Sequence, residues 1–125
     1  MNNEIIHLYS GDSLATHPTN TSYDFTVDLR DSLEGEFKIA LLELTANISE
    51  QLYVFCDIIE PSYCRNHTLP ILRVVNISGE CTNLHFYRAS RRVIQRINVY
   101  IRNKDLQIPA NEIGPVHCTL LLVPI

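Results

Sequence analysis

Leu52-Tyr-Val-Phe-Cys-Asp-Ile-Ile-Glu-Pro-Ser-Tyr63 is the stretch that decides how this chain folds. It is rich in β-branched and aromatic residues and stops at an Ile59-Glu60-Pro61 corner, so it reads as a strand with a defined exit. Leu33-Glu-Gly-Glu-Phe-Lys-Ile-Ala-Leu-Leu-Glu-Leu44 precedes it and Pro70-Ile-Leu-Arg-Val-Val75 follows. Phe37–Leu44 and Leu52–Ile59 are almost continuously apolar, as central strands covered on both faces should be.

Further out, the periodicity is two. Phe25, Val27 and Leu29 alternate with Asp24, Thr26 and Asp28, and Ile97, Val99 and Ile101 alternate with Asn98, Tyr100 and Arg102. Each set marks a half-buried strand. Ile71–Ile77 and Val116–Val123 join them, with shorter candidates at Glu4–Tyr9 and Asn83–Tyr87. The total is about eight strands at the spacing of a sandwich or barrel. Between them lie turn residues: Gly11-Asp12-Ser13, His17–Ser22, Leu33–Glu36, Pro61, Pro70, Ser78-Gly79-Glu80, Asn103-Lys104-Asp105 and Gly114-Pro115. Helix is expected only as a short turn at Ser90–Gln95, with a second candidate at Asp12–Ala15. The pattern predicts an all-β protein, a compact antiparallel β-sandwich of jelly-roll type, which packs many short strands into two sheets without long exposed edges. An immunoglobulin-like sandwich is the nearest rival, but the chain has no tryptophan and no Cys–Trp–Cys spacing.

The 125 residues fit one domain, 1–125. A chain of this length buries roughly 65% of its unfolded surface, enough for a core without metal or disulfide staples. A net charge of −4 argues against a general nucleic-acid binder held by phosphate contacts. No apolar run approaches the roughly 20 residues that span a bilayer. The N-terminus, Met1-Asn-Asn-Glu-Ile-Ile-His7, lacks the basic start and apolar centre of a signal peptide. Cys56, Cys64, Cys81 and Cys118 are therefore expected to be reduced thiols, and the sequons at Asn20, Asn47, Asn66 and Asn76 to be turns.

Catalytic and metal chemistry find little support. The five histidines, His7, His17, His67, His85 and His117, show no His-x-x-x-His pair and no zinc spacing with cysteine, although two of them could meet in space. Asp57 and Glu60 would form an acid–base pair only if their environments split their pKa values, and Glu60 at a strand exit suits a turn better. Ser13, Ser62 and Ser90 lack a nucleophile elbow, and four scattered glycines make no phosphate loop. No catalytic residue, cofactor or metal is expected. The one charge feature is Arg88-Ala-Ser-Arg91-Arg92, followed by Arg96. These arginines suit a solvated turn, carboxylates of a neighbouring subunit, or phosphate. Tyr63 near a strand end is the kind of amphipathic ring found at protein contacts. Tyr63, Arg88, Arg91, Arg92 and Arg96 are the candidate interface residues.

Two blocks resemble a known family. Ser13–Leu29, with its Pro-x-Asn-Thr loop and Phe-x-Val-x-Leu strand, and Leu33–Leu44, with its Leu-x-Gly turn, are similar to structural proteins of Polinton/Maverick elements and adintoviruses. Tyr53–Pro61, Pro70–Val75, Ile97–Arg102 and Gly114–Leu122 look like the same family's C-terminal half, in the same order. The chain departs from the pattern at Phe37, where the family often has tryptophan, and it lacks material often inserted between the halves. The resemblance implies a virion component of penton or minor-capsid kind, assembled in the host cytoplasm or nucleus. It would be a homo-oligomer, five-fold at a vertex or three-fold in a projection, with other capsid proteins as further partners, and its loops Asp12–Tyr23, Ser62–Leu69 and Arg88–Gln95 are expected to present Tyr and Arg to neighbouring copies. The alternative is a trimeric attachment module for a receptor or glycan.

Overall fold

The computed structural model describes residues 2–125, which form eleven strands and no helix. These are β1 Glu4–Tyr9, β2 Asp24–Glu34, β3 Phe37–Thr45, β4 Leu52–Cys56, β5 Ser62–Cys64, β6 His67–Leu69, β7 Ile71–Val75, β8 Gly79–Glu80, β9 Tyr87–Arg88, β10 Val93–Arg102 and β11 His117–Pro124. One sheet runs β1-β11-β3, with the short β8 and β9 both pairing β3; the second runs β2-β10-β4-β7. All pairings are antiparallel. If β8 and β9 count as two pieces of one strand, first pairs with last, second with second-last, and so inward to β4 and β7. That nesting, with the chain switching sheets at almost every step, is an eight-stranded jelly roll.

The alternating residues face the interior as their period requires. Phe25 and Val27 of β2 stand opposite Val99 and Ile97 of β10, and all four are buried with Leu8, Ile39, Leu41, Leu44, Leu52, Val54, Cys118, Leu120 and Leu122 in the main core. A satellite core lies on the outer face of the second sheet. There Phe55 stacks on Tyr100 with centroids 4.7 Å apart, and Cys64, Leu69, Ile71 and Leu106 close over them.

Several expectations are corrected. Ser62–Leu69 is a hairpin, β5 with β6, rather than an open loop. Its two-residue turn places Arg65 and Asn66 at φ 49° and 66°, the left-handed pair a tight hairpin needs, and asparagine adopts it readily. Ser90–Gln95 is not helical: Val93 already begins β10, and a register shift follows between Ile94 and Arg96. At Asp12–Ala15 the chain makes turns without a helix, with Ser13 at φ 56° and the amide of His17 donating to the Ser13 carbonyl at 2.7 Å. Strand ends also move: β2 runs on to Glu34 and takes in part of the expected Leu33–Glu36 turn, while Asn83–Phe86 is not strand.

Candidate interaction surface

The arginine segment is held where three pieces of chain meet: the β2–β3 turn, the exit of β4, and the stretch between β9 and β10. The amides of Gly35, Glu60, Ala89 and Ser90 donate to the carbonyls of Arg92, Arg88, Phe37 and Ile58, each at 2.8–2.9 Å. The backbone around Arg88–Arg92 is thus fastened on both sides, with Ala89 against the core and the arginine side chains facing outward.

Three of the four arginines have a carboxylate within the chain. Arg92 pairs with Glu36 at 3.0 Å, Arg91 with Asp57 at 3.2 Å and Arg96 with Asp28 at 2.8 Å. Arg88 has no such partner within 4.0 Å among the described residues. The Arg92 guanidinium holds the Glu36 carboxyl below its usual range. Asp28 is held lower still, chiefly by Arg96, then by His17 and the Thr16 hydroxyl, which donates at 2.8 Å. The Asp28 contacts to His17 and Thr16 fasten the β1–β2 loop to β2.

Between Arg91 and the Arg96–Asp28 pair lies an open depression of about 570 Å³, walled by Asp28, Arg30, Ser32, Arg91, Gln95 and Arg96 with Val93 among them. Val93 is 44% exposed. Arg30 was not singled out from sequence, yet the signal was there: it shares the outward phase of β2 with Asp28 and Ser32. Such a rim suits carboxylate, phosphate or sulfate groups.

Tyr63 sits elsewhere, on the β5–β6 hairpin. It is 76% exposed, and its hydroxyl donates to Asn66 Oδ1 at 2.6 Å. No hydrogen bond or ion pair among the described residues joins it to the arginines. The five candidate residues therefore form two patches, one on the hairpin and one around β9–β10.

The residues weighed for catalysis hold structure here. Asp57 accepts from the Asn98 amide at 2.9 Å and from Arg91 at 3.2 Å, while Glu60 is exposed. His17 spends Nε2 on Asp28 at 3.1 Å. Two histidines do converge, His7 and His117, but the depression they line contains neither Asp57 nor Glu60. All four cysteines are free thiols, with only Cys81 part-exposed. The sequon asparagines occupy turns or loop ends; Asn20 clips its loop to β2 by bonding both the amide and the carbonyl of Thr26. No helix among the described residues is long and apolar enough to cross a membrane. No protein-family model matches the chain, and no curated protein matches it significantly.

Proposed function

We propose that this chain is a non-enzymatic structural protein that works by self-assembly, a viral or virus-derived virion component of penton or minor-capsid type. The observation that carries the proposal is the jelly-roll strand order, β1-β11-β3-β8 against β2-β10-β4-β7, an architecture used by capsid and lectin domains. Fold alone does not specify function, so the surface and the family resemblance must point the same way. Val93, an exposed aliphatic side chain in a depression lined by Arg30, Arg91 and Arg96, has the apolar-centre, polar-rim character of a subunit contact. Tyr63 on its hairpin supplies a second anchor. The partners are copies of the same chain, five around a vertex or three in a projection, and other capsid proteins.

Sedimentation velocity over a wide concentration range, in low and moderate salt, tests this. The expected result is a discrete species of five or three copies that Val93→Asp shifts toward monomer. A strict monomer throughout would refute the proposal.

The arginine-rimmed depression favours a second reading, a trimeric attachment module that recognises an anionic glycan. A stable trimer binding sialylated or sulfated glycans, with binding lost in Arg30→Ala, would select it over the capsid role.

A further inference from the structure

The outer face of the second sheet carries a depression that the arginine surface does not use. Val99 and Ile101 of β10 are buried in the main core, so Tyr100 and Arg102, in the opposite phase, point away from it. Phe55 and Tyr53 of β4 stand opposite them. The β5–β6 hairpin lies over this face, where Cys64 and Leu69 pack with Phe55 and Tyr100. The β10–β11 loop supplies a further wall, and Asn103 shapes it. Its Oδ1 accepts from the amides of Asp105 and Gln107 at 2.9 and 3.0 Å, and its carbonyl accepts from the Leu106 amide at 3.0 Å. That turn holds Leu106 at φ 61°, a left-handed backbone that leucine rarely adopts, and packs its side chain against the Phe55 cluster. An ion pair between Arg65 and Asp105 at 3.7 Å joins the hairpin tip to the loop.

Hairpin, sheet and loop do not close completely. Phe55, His67, Leu69, Tyr100, Arg102 and Leu106 line a depression of about 240 Å³ between them. Pockets for drug-sized ligands run to roughly 300–1,000 Å³, so this one suits a single ring or two fused rings. Three of its six lining residues are themselves rings, which offer edge and face contacts to another aromatic group. Its ionisable cationic groups are Arg102 and His67, and no carboxylate lines it. Arg102 is fixed in place. Its Nη1 donates to the carbonyls of Tyr23 at 3.1 Å and Ile101 at 2.8 Å, and its guanidinium carbon lies 5.3 Å from the Tyr100 ring centroid. It has no carboxylate partner within 4.0 Å among the described residues. A guanidinium left in this state favours a carboxylate held by charge-assisted hydrogen bonds. A sugar or a nucleobase would leave more polar groups unmatched against these walls.

We propose that this depression binds a small planar aromatic acid, its ring among Phe55, Leu69 and Leu106 and its carboxylate on Arg102. Leucine at a position that suits asparagine or glycine supplies the apolar wall that neither of them could. The site shares no residue with the arginine-lined depression around Val93, so it stands or falls apart from the self-assembly and glycan readings.

Cinnamate, cinnamamide and protonated cinnamylamine share a ring and differ in charge. Titrating each into the full chain at neutral pH, followed through backbone amide chemical shifts, tests the site. Expected is saturable binding of cinnamate with the largest shifts at Leu69 and Leu106. The amide should bind at least roughly tenfold more weakly, as loss of a charge-assisted hydrogen bond implies, and the amine not at all. Leu106→Asn keeps a residue suited to left-handed backbone and should weaken cinnamate at least roughly tenfold through the lost apolar contact. Arg102→Gln should abolish the preference for acid over amide, and Arg30→Ala should change nothing. Arg102 also ties down Tyr23, so if its variant fails to fold, Leu106→Asn and the acid-to-amide ratio decide the matter. No saturable cinnamate binding, shifts centred on other residues, amide bound as tightly as acid, or full affinity in Leu106→Asn would each overturn the proposal.

Discussion

Asp28 shows what one carboxylate does here. It faces Arg96, His17 and Thr16 together, and its folded pKa lies far below the ordinary 3.8. A depressed carboxylate stabilises the fold at pH values above its unfolded pKa and loses that contribution as pH falls toward the folded one. Asp28→Asn should therefore melt at a lower temperature than the parent at pH 7, and the two curves should draw together below pH 3.8. An equal gap at pH 7 and at pH 3 would show that charge is not the cause. The cysteines separate in the same residue-level way. Burial pushes the Cys56 thiol up to about 12 and raises Cys118 as well, whereas Cys81 is part-exposed. Iodoacetamide should label Cys81 in the native protein and reach Cys56 and Cys118 only after unfolding; peptide mass spectrometry reads this directly. Sequence exposed the arginine run at this scale but not its partners, since Arg96 and Asp28 are 68 residues apart.

Elements explain which parts of the fold were legible. β2 and β10 alternate cleanly because each has one face on the core, and their alternating residues meet in register, Phe25 opposite Val99 and Val27 opposite Ile97. Phe25→Ala should cost about 3–5 kcal/mol in chemical denaturation, as truncation of a buried aromatic does. The misread helix has a physical cause. The bulge in β10 leaves Ile94 and Ile97 buried with exposed Gln95 and Arg96 between them, and that three-residue spacing imitates a helical turn. The β5–β6 hairpin escaped because its strands are three residues each, too short for any period to register. Its turn can still be tested: Asn66→Val, forcing a β-branched residue into left-handed backbone, should cost roughly 1–2 kcal/mol, while Asn66→Gly should be close to neutral. Equal thermal shifts for the two would mean that the turn geometry does not matter.

For the whole molecule, the nested pairing brings the two ends of the chain together as β1 and β11. Only that topology could reveal the His7–His117 cluster, whose members are 110 residues apart. It also makes most pairing non-local, so folding should run in milliseconds to seconds rather than microseconds, measurable by stopped-flow refolding. The result is a rigid two-sheet body with loops at both ends and two outward patches, the hairpin bearing Tyr63 and the arginine-lined face around Val93. Copies that join head to tail through two different patches close into rings when the rotation between neighbours closes. Electron microscopy of the purified chain at high concentration tests this most directly: the account predicts closed five-fold or three-fold particles whose contacts include Arg88–Arg92 or the Tyr63 hairpin. A field of single copies, or particles joined only through other faces, would contradict it.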